Sequence, residues 1–289
     1  MTMLNLNEIS YSNERLEIIC SKNILLVHKT FRKDLDRAKL NVEKQSSFCP
    51  IVNGETRISS VDVSKFTVQE DRADLLMPYV EGITGAKFAV LTTPTLAEKL
   101  SSSLTKILYT ELNKSIEMDM PSSIFINKIE SVLDNISDSD IKKLVSKCRN
   151  ILQRLPEMMK VPVGPCHGDL TLSNVILTPM AEIKLIDFLH TFLESPLQDA
   201  AKLIQDFVYG WSFRRETKPI RIKSQIISHY HFPKGITHFE KFFPSQLQVF
   251  TLVTLARIAP YIKDDLTKEW LVESLNNCIE IIESKENIK

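Results

Sequence analysis

The chain has 289 residues, enough for one large domain or two modest ones, and its 43% hydrophobic content is ample for a core. The 36 Lys and Arg balance 36 Asp and Glu, so no basic excess marks a nucleic-acid binder. The opening MTMLNLNEIS has neither a basic n-region nor an apolar h-region, and the longest apolar run, LQVFTLVTLARIAPYI, is broken by Gln248 and Arg257. With Cys20, Cys49, Cys148, Cys166 and Cys278 odd in number and scattered, a cytoplasmic protein with reduced thiols and no membrane span is expected.

Arg15–Cys20 and Ile24–Lys29 are rich in β-branched and apolar residues, and the turn-like Ser21-Lys22-Asn23 between them predicts a pair of strands. Asp34 then caps a helix with Leu35, Ala38 and Val42 on one face and Glu43 at its edge. Strands are expected again at Val61–Val63, Lys65–Val68 and Leu75–Val80, the last running into a turn at Gly82. From Thr93 the spacing becomes helical. Leu96, Leu100, Leu104, Ile107 and Leu108 form one stripe, and Ile124, Ile129 and Leu133 a second behind Pro121. Ile141, Leu144, Cys148 and Leu152 form a third behind the capping run Ser137–Asp140. These stripes are core positions and carry no chemistry.

Pro162 and Pro165 lead into His167-Gly168-Asp169-Leu170-Thr171-Leu172-Ser173-Asn174, then Val175-Ile176-Leu177 and, after a short break, Ile183-Lys184-Leu185-Ile186-Asp187-Phe188. An Asp and an Asn lie five residues apart on one loop, with a second Asp at a strand end. Phosphoryl transfer from a nucleotide needs such a set: one carboxylate orients the attacking hydroxyl and accepts its proton, while an amide oxygen and another carboxylate hold magnesium. Hard oxygen ligands without His or Cys suit that ion. Either piece alone is a common turn or strand end. Both in order, at hairpin distance between apolar strands, select the functional reading.

The region from Gln205 onward is again helical. Trp211 beside Arg214 and Arg215 either receives a sugar or an anionic substrate, or packs a helix end on the core. His190, three residues past Asp187, is placed to meet substrate, although a lone His is more often structural. Arg257 in its apolar stretch needs a partner, either a structural Asp or a substrate phosphate or carboxylate.

HGDLTLSN followed by IDF resembles the aminoglycoside phosphotransferase and choline kinase family, over about residues 10 to 215 and specifically only in this core. The resemblance implies a protein-kinase-like, two-lobed α+β fold: a small N-terminal lobe with an antiparallel sheet, residues 1–80, and a larger helical lobe, residues 81–289. It implies Asp169 as base, with Asn174 and Asp187 holding magnesium. Lys29 at a strand end and Glu43 in the following helix match by order and spacing the pair that holds nucleotide phosphates, with Lys33, Arg37, Lys39 and Lys44 as nearby alternatives. Met77, Pro78 and Val80 fall on the adenine hinge. There the Pro78 carbonyl would accept from the adenine amino group, a role that needs no N–H, and the Val80 amide would donate to the ring. His167 and Asp199, the latter in a Pro-x-x-Asp opening a helix, would brace the catalytic loop.

ATP, with GTP as the alternative, is the implied donor, and the acceptor is a hydroxyl of a small molecule such as a sugar, an amino alcohol or an aminoglycoside-like compound. The flank Leu193–Asp199 looks like that of bacterial relatives of unassigned substrate, some associated with surface-polysaccharide synthesis. Protein kinases acting on Ser, Thr or Tyr read H-R-D-L-K, the Lys steadying the transferred phosphate. Here Gly168 and Thr171 occupy those two places and no Ala-Pro-Glu follows Asp187, which favours the small-molecule branch. The first glycine is Gly54, so no glycine-rich loop precedes Lys29, and phosphate cover is expected from the turn around Ser10, Ser12 and Asn13. The missing glycines also keep open a pseudokinase, a nucleotide- or partner-binding module without turnover.

Overall fold

The structure, a computed structural model, describes residues 3–4, 15–21, 23–91 and 94–286. It opens with β1 (Met3–Leu4), β2 (Arg15–Ser21), β3 (Ile24–Phe31), α1 (Leu35–Ser46), β4 (Ile51–Asn53) and β5 (Thr56–Ser60). There follow β6 (Lys65–Val68), β7 (Ala73–Pro78), β8 (Ile83–Thr84), α2 (Gly85–Leu91) and α3 (Pro94–Leu112). Next come β9 (Ile116–Pro121), α4 (Ser123–Leu133), α5 (Ser139–Leu152), β10 (Met158–Val163), β11 (Val175–Leu177) and β12 (Ile183–Leu185). The rest is helical: α6 (Pro196–Phe207), α7 (Lys218–Ser228), α8 (Gly235–Phe242), α9 (Pro244–Ala256) and α10 (Asp265–Glu286). The chain divides into two compact units, Met1–Gly85 with Ser173–His190, and Ala86–Leu172 with Thr191–Lys289. Unlike a single cut at residue 80, this division returns residues 173–190 to the first unit.

In the first unit, β1-β2-β3-β7-β6 form one antiparallel sheet. Strand β7 alternates as a half-buried strand must: Ala73, Leu75 and Met77 are buried, and Asp74, Leu76 and Pro78 less so. Ala73, Leu75 and Met77 pack with Phe31, Val61 and the inward residues of α1, Ala38 and Val42. Helix α1 starts where expected, with the Asp34 carboxylate accepting from the Arg37 N–H at 3.3 Å.

A second sheet in the same unit runs β4-β5-β12-β11-β8, with β5 and β12 parallel and Ile58 opposite Ile183. The strand expected at Val61–Val63 is displaced to Thr56–Ser60. Its Thr-Arg-Ile-Ser-Ser has one apolar residue, yet Thr56, Ile58 and Ser59 are all buried because strands pair on both of its edges. Val61 stays buried without being in a strand, its N–H donating to Leu185 O at 3.0 Å.

In the second unit, α9 is buried on nearly every side and packs with α4, α5, α6, α8 and α10, as an all-round apolar helix must. Phe125, Phe192 and Phe250 join edge-on and stacked at its centre, ring centroids 5.3–6.4 Å apart. Helix α3 buries Leu100, Leu104, Ile107 and Leu108, α4 buries Ile129 and Leu133 with Ile124 only half-buried, and α5 buries Ile141, Leu144, Cys148 and Leu152. Asp138 caps α5 by accepting from the Asp140 and Ile141 N–H groups. The pairing of β9 with β10 was not anticipated, although Ile116, Met118 and Met120 alternate with Glu117 and Asp119 at strand period. None of the five cysteines forms a disulfide, and burial pushes the Cys148 thiol up to about 12 and Cys278 up to about 11, so both are inert. Among the described residues, no helix is long and apolar enough to cross a membrane.

Candidate active site

The first unit brings together two residues 158 positions apart: the Lys29 ammonium on β3 donates to Asp187 Oδ1 at 3.0 Å. Asp187 follows β12, where Ile186 N–H donates to Asn174 O at 3.1 Å and so ties the end of one loop to the start of the other. Asp187 has φ 59°, a left-handed conformation uncommon outside glycine, and its side chain is 41% exposed. Asn174 is buried in the short 3-10 turn before β11.

The residues just past Asp187 are gripped by α1. Asn41 accepts from His190 N–H at 2.6 Å, Arg37 donates to His190 O at 3.4 Å, and Lys44 donates to Leu189 O at 2.9 Å. Positions 37, 41 and 44 lie on one helix face.

Glu43 is corrected by this geometry: it is exposed and its carboxylate lies 4.0 Å from Lys39, not beside Lys29. The inward face of α1 is Ala38, Val42 and Gln45, and a residue one step from Val42 is turned about 100° away. Gln45, missed from sequence, donates to Val61 O at 2.8 Å and to Met77 Sδ at 3.2 Å. Met77 is thus a buried core residue, Pro78 pairs opposite Leu26, and Val80 is half-buried against the same core. Ser10, Ser12 and Asn13 lie outside the described residues.

In the second unit, α6 organises the loop at 167–172. Ser195 caps the helix, its hydroxyl accepting from Leu197 N–H at 3.2 Å, and Pro196 occupies the first turn, where a missing N–H costs nothing. Asp199 is fully buried, and its carboxylate accepts from the backbone N–H groups of His167 and Gly168, the latter at 2.7 Å. Gly168 has φ 87°, which a side chain would resist. His167 is buried, and its Nδ1 accepts from Asp169 N–H at 3.2 Å.

Asp206 accepts from the Leu172 N–H and from the backbone and hydroxyl of Ser212 at 2.8 and 2.6 Å, while burial pushes its carboxyl above the usual range. Lys202, which lies between Asp199 and Asp206 in sequence, places its ammonium 2.9 Å from Asp169 Oδ1. Burial pushes the Asp169 carboxyl up, but the Lys202 ammonium, then His167 and Arg257, hold it below the ordinary carboxylate range. Neither Lys202 nor Asp206 was singled out from sequence. The available signal was their spacing from Asp199, i+3 and i+7, on a helix that is otherwise largely apolar.

Of the two readings for Trp211, the geometry displays packing. The Arg214 guanidinium lies 3.5 Å from the Trp211 ring centroid, Trp270 packs at 5.2 Å, and Arg214 Nη1 donates to Trp211 O at 2.9 Å. Arg215 sits 3.9 Å from Asp264, and the half-buried Arg257 lies 5.9 Å from the Phe192 centroid. His190 is exposed.

A carboxylate that is ionised at neutral pH on a braced loop can accept a proton, and an ammonium beside a second, partly exposed carboxylate can meet polyphosphate and a hard cation. Residues 130–228 match the model of the Phosphotransferase enzyme family. Among solved structures, the chain is similar to a thermostable mutant of the aminoglycoside phosphotransferase APH(4)-Ia in its apo form, at 13% identity and TM-score 0.58, covering 99% of this chain and 95% of that one. It is similar to another mutant of that enzyme in ternary complex with ADP and hygromycin B, at 12% identity and TM-score 0.59, covering 96% and 93%. The choline kinase LicA from Streptococcus pneumoniae is similar at 16% identity and TM-score 0.58, over 96% and 94%. Curated proteins compared by sequence give no match. The fold is the protein-kinase-like α+β fold that the motifs imply.

Proposed function

We propose, with the phosphotransferase match of residues 130–228 as premise, that the chain transfers the γ-phosphoryl group of ATP to a hydroxyl of a small molecule such as a sugar, an amino alcohol or an aminoglycoside-like compound. The observation that carries the reading is the contact of Lys29 with Asp187, read from sequence for two separate tasks, the one to hold nucleotide phosphates and the other magnesium, and separated by 158 positions. Asp169 is the base that takes the acceptor proton. Lys29 and the backbone at Pro78 and Val80 bind the nucleotide, and Asp199 and His167 hold the loop that carries Asp169. ATP as donor is supported by the ADP bound in a structural neighbour.

Asn174 and Asp187 would hold magnesium. Their hard oxygens, one of them on a 41% exposed carboxylate, fit an ion that keeps several waters and takes its other ligands from phosphate. Among the described residues no group of three or more His, Cys, Asp or Glu is placed to hold a metal, and magnesium with nucleotide needs none. When bound, the ion neutralises charge on the phosphates.

The test is release of nucleoside diphosphate from ATP and magnesium against sugars, choline, ethanolamine and aminoglycosides, with Asp169→Asn as blank. Acceptor-dependent release that vanishes in the variant is expected. Tight nucleotide binding without release for any acceptor would leave a binding module without turnover in its place.

A further inference from the structure

Lys202 has no part in the chemistry assigned so far. It stands on α6 among residues that are mostly buried, and its own side chain is 12% exposed. Keeping an ammonium out of water merely to pack is unfavourable, because an apolar side chain of similar length avoids the desolvation cost. Neutralising the base is no better a purpose. A carboxylate held below its ordinary range is a weaker base, and Asp169 already faces His167 from its own loop and Arg257 from the end of α9. Thr171, two residues after Asp169, is buried and brings no charge. A cation from α6 therefore stands against the base, with its nitrogen 2.9 Å from the oxygen that would receive the proton.

We propose that Lys202 is a catalytic residue that binds an oxygen of the phosphoryl group during transfer. This rests on the phosphotransferase reading above. In the step, the acceptor oxygen forms a bond to the γ-phosphorus. The bond from that phosphorus to the β,γ-bridging oxygen breaks, its electron pair leaving on ADP. The acceptor proton passes to Asp169. Lys202 keeps its proton throughout and supplies charge and an N–H donor to the equatorial oxygens, where negative charge collects. Before substrates arrive, Asp169 holds the ammonium at the place where it is needed.

The test compares Lys202→Met and Lys202→Gln with wild type in turnover of ATP, using an acceptor from the panel or water. A loss in kcat of about 100-fold or more is expected, as for removal of one preorganised donor, with the KM for ATP changed less than about threefold. The acid limb of kcat/KM should also move to higher pH, since Asp169 loses the cation that most depresses it. Lys202→Arg should recover part of kcat. Unchanged kcat in whichever neutral variant folds would overturn the proposal, as would a shift of the acid limb alone, which would make Lys202 a tuner of the base. A wild-type protein that turns over ATP with no acceptor, water included, would sink the phosphotransferase reading itself and this inference with it.

Discussion

Asp187 holds a left-handed backbone, and Asn and Asp are the side chains that tolerate this best. Asp187→Asn therefore removes the charge without adding backbone strain. It should weaken magnesium-dependent ATP binding by about tenfold or more, the loss of a charge-assisted contact, whereas His190→Ala should change it by less than about threefold. Calorimetric titration of both variants at fixed magnesium decides this; equal affinities would remove Asp187 from the site. Asp169→Asn should instead lower turnover by roughly 100- to 10,000-fold with nucleotide affinity almost unaltered, because it removes a base and not a nucleotide contact. The sign of its pH dependence follows from its environment. A carboxyl depressed in the folded protein is ionised down to and below the ordinary carboxylate range, so activity should hold through mildly acidic pH and fall only below that range. Wild-type turnover by the Asn variant, or an acid limb near neutrality, would contradict the assignment.

Helix α1 and the chain after Asp187 form a unit of their own, because Arg37, Asn41 and Lys44 all bind the backbone of Leu189–His190. Asn41→Ala should leave the unfolding midpoint little changed, the site being exposed, yet loosen Asp187 and weaken ATP binding by about three- to tenfold, the value of one hydrogen bond. An affinity identical to wild type would mean that the grip has no bearing on Asp187. At this scale the sequence was legible where one signal suffices. The Asp34 and Asp138 caps, the helical stripes and the strand before Gly82 are each fixed by local pattern. It was less legible where burial comes from neighbours. Thr56 and Ser59 look like surface residues until strands close on both sides, Glu43 and Gln45 differ only by which face of α1 turns inward, and Lys202 looks like an ordinary helical lysine until Asp169 is folded against it. The HGD and IDF motifs could be read at once because their chemistry lies in residue type and spacing.

At the scale of the molecule, the first unit is not one stretch of chain. Residues 86–172 are spent on the second unit before Ser173–His190 returns to supply β11 and β12. Strand β5 keeps its outer edge unpaired until β12 arrives, and β12 lies parallel to it, a non-local pairing that forms slowly. Emerging from a ribosome, the chain cannot finish what it began first. A fragment ending at Gly85 should accordingly lack a cooperative thermal transition and self-associate through that open edge, and the same fragment with residues 173–190 attached by a flexible linker should recover a single transition. Circular dichroism melts and light scattering on the two would show it, and a Gly85 fragment that melted cooperatively as a monomer would refute it. Lys29 is translated early and Asp187 late, so their contact can close only after most of the protein has been made. Until then the nascent N-terminal segment is a partly folded sheet waiting for its last two strands, open to chaperones and to copies of itself.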